Sequence, residues 1–121
     1  MHKLVILIES TADPAFDQNW PQFLHHAERI PGLKREATSR VTQVLFGEAS
    51  YNMIHELYFD SFTAMQQGLA SPDGREAGRL LQSMTGGRML LLFADHNEDS
   101  IENLRRYHKS RNEADGSTKR G

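Results

Sequence analysis

The chain has 121 residues, 14 basic and 16 acidic side chains for a net charge of −2, and no cysteine. That suffices for one domain with a real core and not for two, and the mixed charge lacks the clustered basic face of a nucleic-acid binder. Without cysteine there is no disulfide framework, thiolate nucleophile or cysteine metal site, in keeping with a reducing cytoplasm.

In chain order, Leu4 to Ile8 is apolar on both faces, as a strand needs when its sheet is covered on both sides. This apolar run of about five residues falls short of the roughly 7–15 of a signal peptide, so neither a leader nor a membrane segment is expected. Asp13-Pro14 predicts a cap and first-turn proline for a helix from about Pro14 to Arg29. On it Phe16, Trp20, Phe23, Leu24, Ala27 and Ile30 share one sector. Pro21 predicts a bend or restart, and Ile30-Pro31-Gly32 a stop. Leu33 to Phe46 alternates as a strand, residues 46–50 can turn, and Tyr51 to Phe59 returns as its hairpin partner. Asp60 or Ser61 can cap a helix whose first buried residue is Phe62, followed by Met65 and Leu69. After the break at Ser71-Pro72, Asp73 and Glu76 are spaced to cap a helix carrying Ala77, Leu80, Leu81 and Met84. Gly86-Gly87 then leads into a last strand, Met89 to Phe93.

The order predicts an α+β fold, the ferredoxin-like βαββαβ arrangement with a four-stranded antiparallel sheet and helices on one face, over residues 1–95. Residues 96–121 form a charged C-terminal extension. Its Asp99/Glu102 capping pair, thin Ile101/Leu104/His108 stripe and late basic residues Arg105, Arg106, Lys109 and Arg111 suit a helical arm on a partner subunit, against a solvated tail as the competing reading. Helices on one face leave the other sheet face bare, yet the first and last strands are apolar on both. A second copy meeting it about a two-fold axis is the expected cover, giving a homodimer whose facing sheets can enclose a cavity.

Candidate chemistry centres on Glu56, which alternates with Leu57 and so points away from the helices. Desolvation there would raise its pKa and fit it for general acid–base work; the competing role is an interface ion pair with Arg40 or Arg35. Tyr58, on the same face, can orient a substrate oxygen, and Arg40 is a substrate-binding candidate. His26, at the margin of the apolar helix sector, is the candidate second proton carrier, with His25 nearly opposite. Trp20 is either core or the floor of an aromatic-substrate pocket, and His55 a satisfied histidine beneath the helices. The histidines show no metal-ligand spacing, and no glycine-rich phosphate loop or dinucleotide fingerprint occurs, so no metal and no cofactor is expected.

Phe16/Trp20, Ile30-Pro31-Gly32-Leu33, the run Glu56 to Ser61 and the run Leu69 to Gly74 together resemble the EthD-like family of the dimeric α+β barrel superfamily, over about Leu4 to Asp95. The family's histidine one turn after the tryptophan falls here at Leu24, beside His25 and His26. The resemblance implies homodimerisation through the sheets and a cleft between helix and sheet or within the barrel. It associates the chain with ether-degradation gene clusters, where an accessory role beside a cytochrome oxygenase system is supposed. Related barrels include cofactor-free monooxygenases, isomerases, dehydratases and haem-dependent enzymes. The expectation is a cofactor-free enzyme using acid–base or oxygenase-type chemistry on a small hydrophobic or aromatic compound. The alternative is a non-catalytic accessory or ligand-binding homodimer; haem binding is a third reading.

Overall fold

Alternating apolar strands and amphipathic helices build seven elements: β1 (His2–Glu9), α1 (Pro14–Ala27), β2 (Leu33–Arg40), β3 (Tyr51–Phe59), α2 (Phe62–Leu69), α3 (Pro72–Thr85) and β4 (Met89–Asp95). The computed structural model describes residues 1–10, 14–48, 50–99 and 101–102. The four strands form one sheet in the order β2-β3-β1-β4, every neighbouring pair antiparallel. This is the ferredoxin-like topology expected from the sequence.

Cross-strand partners share a face, so the register assigns each residue a side. Ile6 lies between His55 and Leu91, and Val5 between Glu56 and Leu92. On the helix side Leu4, Ile6, Ile8, Met53, Leu57 and Phe59 are buried. Phe16, Phe23 and Ala27 of α1 and Ala77, Leu80, Leu81 and Met84 of α3 complete that core. Burial at roughly 25 cal/mol per Å2 of apolar surface makes this layer the main source of stability.

Several local boundaries depart from expectation. The α1 helix passes through Pro21 without restarting and ends at Ala27, where Arg29 and Ile30 donate to the His26 and Ala27 carbonyls in a tighter turn. Its expected cap, Asp13, lies outside the described residues. The β2 strand stops at Arg40 rather than Phe46: Arg40 already faces Met53, so β3, starting at Tyr51, has almost no chain left to pair with. Leu45 and Phe46 consequently sit in the connecting loop, 94% and 96% exposed. Ser61 caps α2 by accepting from the Ala64 amide. Phe62 is 40% exposed in this subunit, so Met65 is the first buried residue of α2. The cap of α3 is Ser71, accepting from the Gly74 amide with Pro72 in the first turn, which leaves the Asp73 carboxylate for another partner. Gly68 permits close packing of α2 on the turn before β2, since a Cβ there would stand 2.5 Å from the Pro31 carbonyl oxygen. Gly86 closes α3 in the left-handed conformation, φ 63°. Of the expected C-terminal arm, only the helical Ile101 and Glu102 fall within the described residues past Ser100.

Candidate functional site

The helix layer does not close over β4. Leu91 and Phe93, on the helix side of that edge strand, are 46% and 56% exposed, and a cavity of about 360 Å3 opens between them and α3. Leu4, Ile6 and Leu57 continue its floor, Phe23, Ile30 and Leu69 wall it, and Gly74, Arg75, Ala77, Gly78 and Leu81 of α3 roof it. Arg75 is the sole charged residue of the lining. Such a volume with nearly all-apolar walls accommodates a small hydrophobic molecule, and a guanidinium at its margin can receive an anionic or polar end.

The opposite, uncovered face carries a polar cluster. Lys3 Nζ lies 2.6 Å from Glu56 Oε2, and the Tyr58 hydroxyl donates to Glu56 Oε1 at 3.3 Å. The Arg35 guanidinium stands 4.2 Å from the Tyr58 ring centroid and pairs with Glu98, which also meets His96 Nε2 at 2.6 Å. Burial pushes the Glu56 carboxyl upward, but the Lys3 hydrogen bond and charge, aided by Tyr58 and His96, hold it below the usual range. Lys3 is correspondingly raised, first by its hydrogen bond to Glu56. The elevated pKa expected of Glu56 is therefore not found, because its partner is Lys3 of the adjacent strand.

The expected convergence of Glu56, Tyr58 and His26 is not found either. Glu56 and Tyr58 share the uncovered face, whereas His26 sits on α1 across the sheet, its Nδ1 2.9 Å from the Asp73 carboxylate. None of the three lines the cavity. Arg40 is opposite Met53 and so belongs to the helix side, which removes it as a partner of Glu56. Trp20 stacks between Phe16 and Phe23 at 5.4 and 5.0 Å and stands edge-on to His55 at 5.2 Å, as core rather than cavity floor. His55 is wholly buried and satisfied by Glu36 and Thr38, at 2.7 and 2.8 Å. Among the described residues no group of His, Asp and Glu is arranged to hold a metal ion.

Sequence reasoning missed Arg75 and Lys3. No periodicity signal marked Arg75, which is exposed and lies off the buried sector of α3. For Lys3 the signal was alternation, which puts it on the same side of β1 as Val5 and Leu7.

Comparison with known proteins bears out the EthD-like resemblance. A crystal structure of an EthD (ethyl tert-butyl ether D) family protein from Bacillus halodurans matches with a TM-score of 0.73 and 25% identity, covering 80% of this chain and 99% of that one. The chain is thus similar to an EthD family protein and shares the fold of dimeric ferredoxin-like proteins. The chain is also 29% identical, over 97 residues, to an uncharacterized 11.0 kDa protein in the thcB-thcC intergenic region of Rhodococcus erythropolis, covering 78% of this chain and 94% of the relative. A dimeric ferredoxin-like protein of unknown function from Jannaschia sp. shares the fold, with a TM-score of 0.64 and 16% identity over 78% of this chain and 98% of that one. No protein-family model matches. Among the described residues no helix is long and apolar enough to cross a membrane. Leu24 packs partly buried against the core.

Proposed function

We propose that this EthD-like chain is the subunit of a homodimer that binds a small hydrophobic organic molecule between α3 and the β1–β4 half of the sheet, as a ligand-binding or accessory protein. The apolar cavity of about 360 Å3 carries the reading. The family name of the Bacillus halodurans protein includes ethyl tert-butyl ether, and a compact apolar ether is the kind of molecule these walls accept. A catalytic role for Glu56 and His26 draws no support from the geometry, since one carboxylate is held ionised by Lys3 on the far face and the imidazole is paired with Asp73 outside the cavity. The dimer is supported by Leu90 and Leu92, 42% and 44% exposed on the face without helices, and by the dimeric state of the Jannaschia protein.

Two fluorescent probes, anionic 1-anilinonaphthalene-8-sulfonate and neutral N-phenyl-1-naphthylamine, test the site. A Cβ on Gly78 meets nothing within 4 Å, so Gly78→Trp fills the opening without disturbing the backbone. Saturable micromolar binding of both probes, lost in Gly78→Trp at a melting temperature no lower than that of the wild type, is expected. Absence of saturable binding, or binding indifferent to Gly78→Trp, overturns the proposal. Sedimentation at micromolar concentration should return twice the 13.8 kDa chain mass; a monomer refutes the dimer.

A further inference from the structure

Beneath α1, away from the cavity, three side chains form a line that packing alone does not require. His55, 0% exposed, has Glu36 Oε2 at 2.7 Å from Nε2 and Thr38 Oγ1 at 2.8 Å from Nδ1. A carboxylate only accepts hydrogen bonds, so Nε2 carries a proton, and in the neutral ring Nδ1 presents its lone pair. The Thr38 hydroxyl must then donate to Nδ1, and both oxygen lone pairs are left for another group. The edges of the Trp20 and Phe23 rings wall the imidazole. Thr38, by contrast, is exposed, on a strand that forms the edge of the sheet. A buried base backed by a carboxylate and bonded to an exposed hydroxyl is the constellation that activates an alcohol nucleophile.

The ladder supplies a further element. The Val41 amide donates to the Asn52 carbonyl, so with this register 39↔54 and 37↔56 are hydrogen-bonded pairs and 38↔55 is a non-hydrogen-bonded one. Such pairs hold side chains close, which accounts for the Thr38–His55 contact. They also turn their amides away from the neighbouring strand, so the Thr38 N–H points out of the edge of the subunit's sheet. A backbone donor on the nucleophilic residue itself is one of the groups that stabilise the oxyanion of acyl transfer.

We propose that Thr38, His55 and Glu36 form a hydroxyl–imidazole–carboxylate relay that accepts acyl groups from activated esters, a second site distinct from the cavity. The Thr38 oxygen bonds to the ester carbonyl carbon as its proton passes to His55 Nδ1, and the carbon–oxygen bond to the leaving aryl oxide breaks. The imidazolium gives that proton to the aryl oxide; water then attacks the acyl-threonine as the freed Nδ1 takes its proton, the Thr38 oxygen leaves and takes that proton back, and one ester and one water become one acid and one phenol. Thr38 and His55 are the catalytic residues, and Glu36 is the positioning residue that fixes the tautomer.

The test uses the full chain and p-nitrophenyl acetate. Nitrophenolate release and peptide mass spectrometry should reveal acetyl-Thr38, and Thr38→Val, nearly isosteric and exposed, should lower turnover by about 10²-fold. What persists in Thr38→Val is the background of surface histidines such as His25. Thr38→Ser should restore turnover to within about tenfold of wild type. Glu36→Gln should lower kcat while leaving KM, which a purely structural pair would not do. Acylation found only elsewhere, or turnover unchanged in Thr38→Val, overturns the relay and leaves the cavity proposal standing, since the probes above report on different residues.

Discussion

The two faces of the sheet handle charge in opposite ways. On the helix side polarity is confined near β2, where Glu36 and Thr38 satisfy His55, and the surroundings are apolar. On the uncovered side Lys3, Glu56, Tyr58, Arg35, His96 and Glu98 interlock at one end while Val5, Leu7, Leu90 and Leu92 occupy the middle. A buried polar group must be paired, because an unmatched one costs roughly 1–3 kcal/mol. Both faces obey that rule, but only the second combines a bare apolar centre with a paired polar end, the pattern of a surface shaped for another copy. Side-chain chemistry on this sheet is therefore sorted by what covers each face.

Substitutions of graded severity can break or sharpen that contrast. Phe59→Ala, at a wholly buried helix-side position, should cost about 3–5 kcal/mol in urea unfolding. Leu92→Lys, on the bare face, should instead leave a folded subunit that sediments as a monomer; equal loss of fold in both would erase the distinction. Lys3→Met strands the Glu56 carboxylate and should cost about 2–3 kcal/mol near neutral pH. Glu56 is held below its ordinary 4.5, so its share of that stability is present above this value and lost as pH falls through the folded pKa. Lys3 is held above its ordinary 10.5, so its share is present below that value and lost as pH climbs through the raised one. The difference between wild type and Lys3→Met should thus be flat from about pH 5 to 10 and shrink on either side, as followed by urea midpoints. Smaller again, Arg75→Gln should weaken the anionic probe about three- to tenfold and leave the neutral one unaffected, which fluorescence titration resolves. The smallest change, Gly78→Ala, should raise stability by about 0.5–1 kcal/mol, read as a higher melting temperature.

Much of the fold was legible because periodicity is a local property. Leu57 and Phe59 alternating with Glu56 and Tyr58 placed each on its proper face, and Leu4 to Ile8 marked a strand inside the sheet. Contacts that depend on register were not legible. Arg40 was assigned to the side of Glu56, but the long β2–β3 connection does not fix which residues face one another, and the pairing with Met53 puts it on the other side. Glu56 was expected to titrate high because its burial can be read from alternation, whereas Lys3 becomes its neighbour only once β1 pairs with β3. His26 was drawn toward Glu56 by chemistry alone; α1 lies across the sheet, where Asp73, spared from capping by Ser71, receives it. The family resemblance implied a cleft between helix and sheet, but pattern alone did not place the cavity, for a similar reason. Its existence depends on how far the helices extend over β4, which no pattern within β4 records.

The roof of that cavity has a consequence for how the site can diversify. Leu4, Ile6 and Leu57 in the floor belong to the core, so altering them puts the whole subunit at risk. Arg75 and Gly78 in the roof are exposed, and a side chain grown from Gly78 meets open space. Selectivity is thereby uncoupled from foldedness: single substitutions along one solvent-facing stripe of α3 can change which molecule is held, while every residue that specifies the architecture stays as it is.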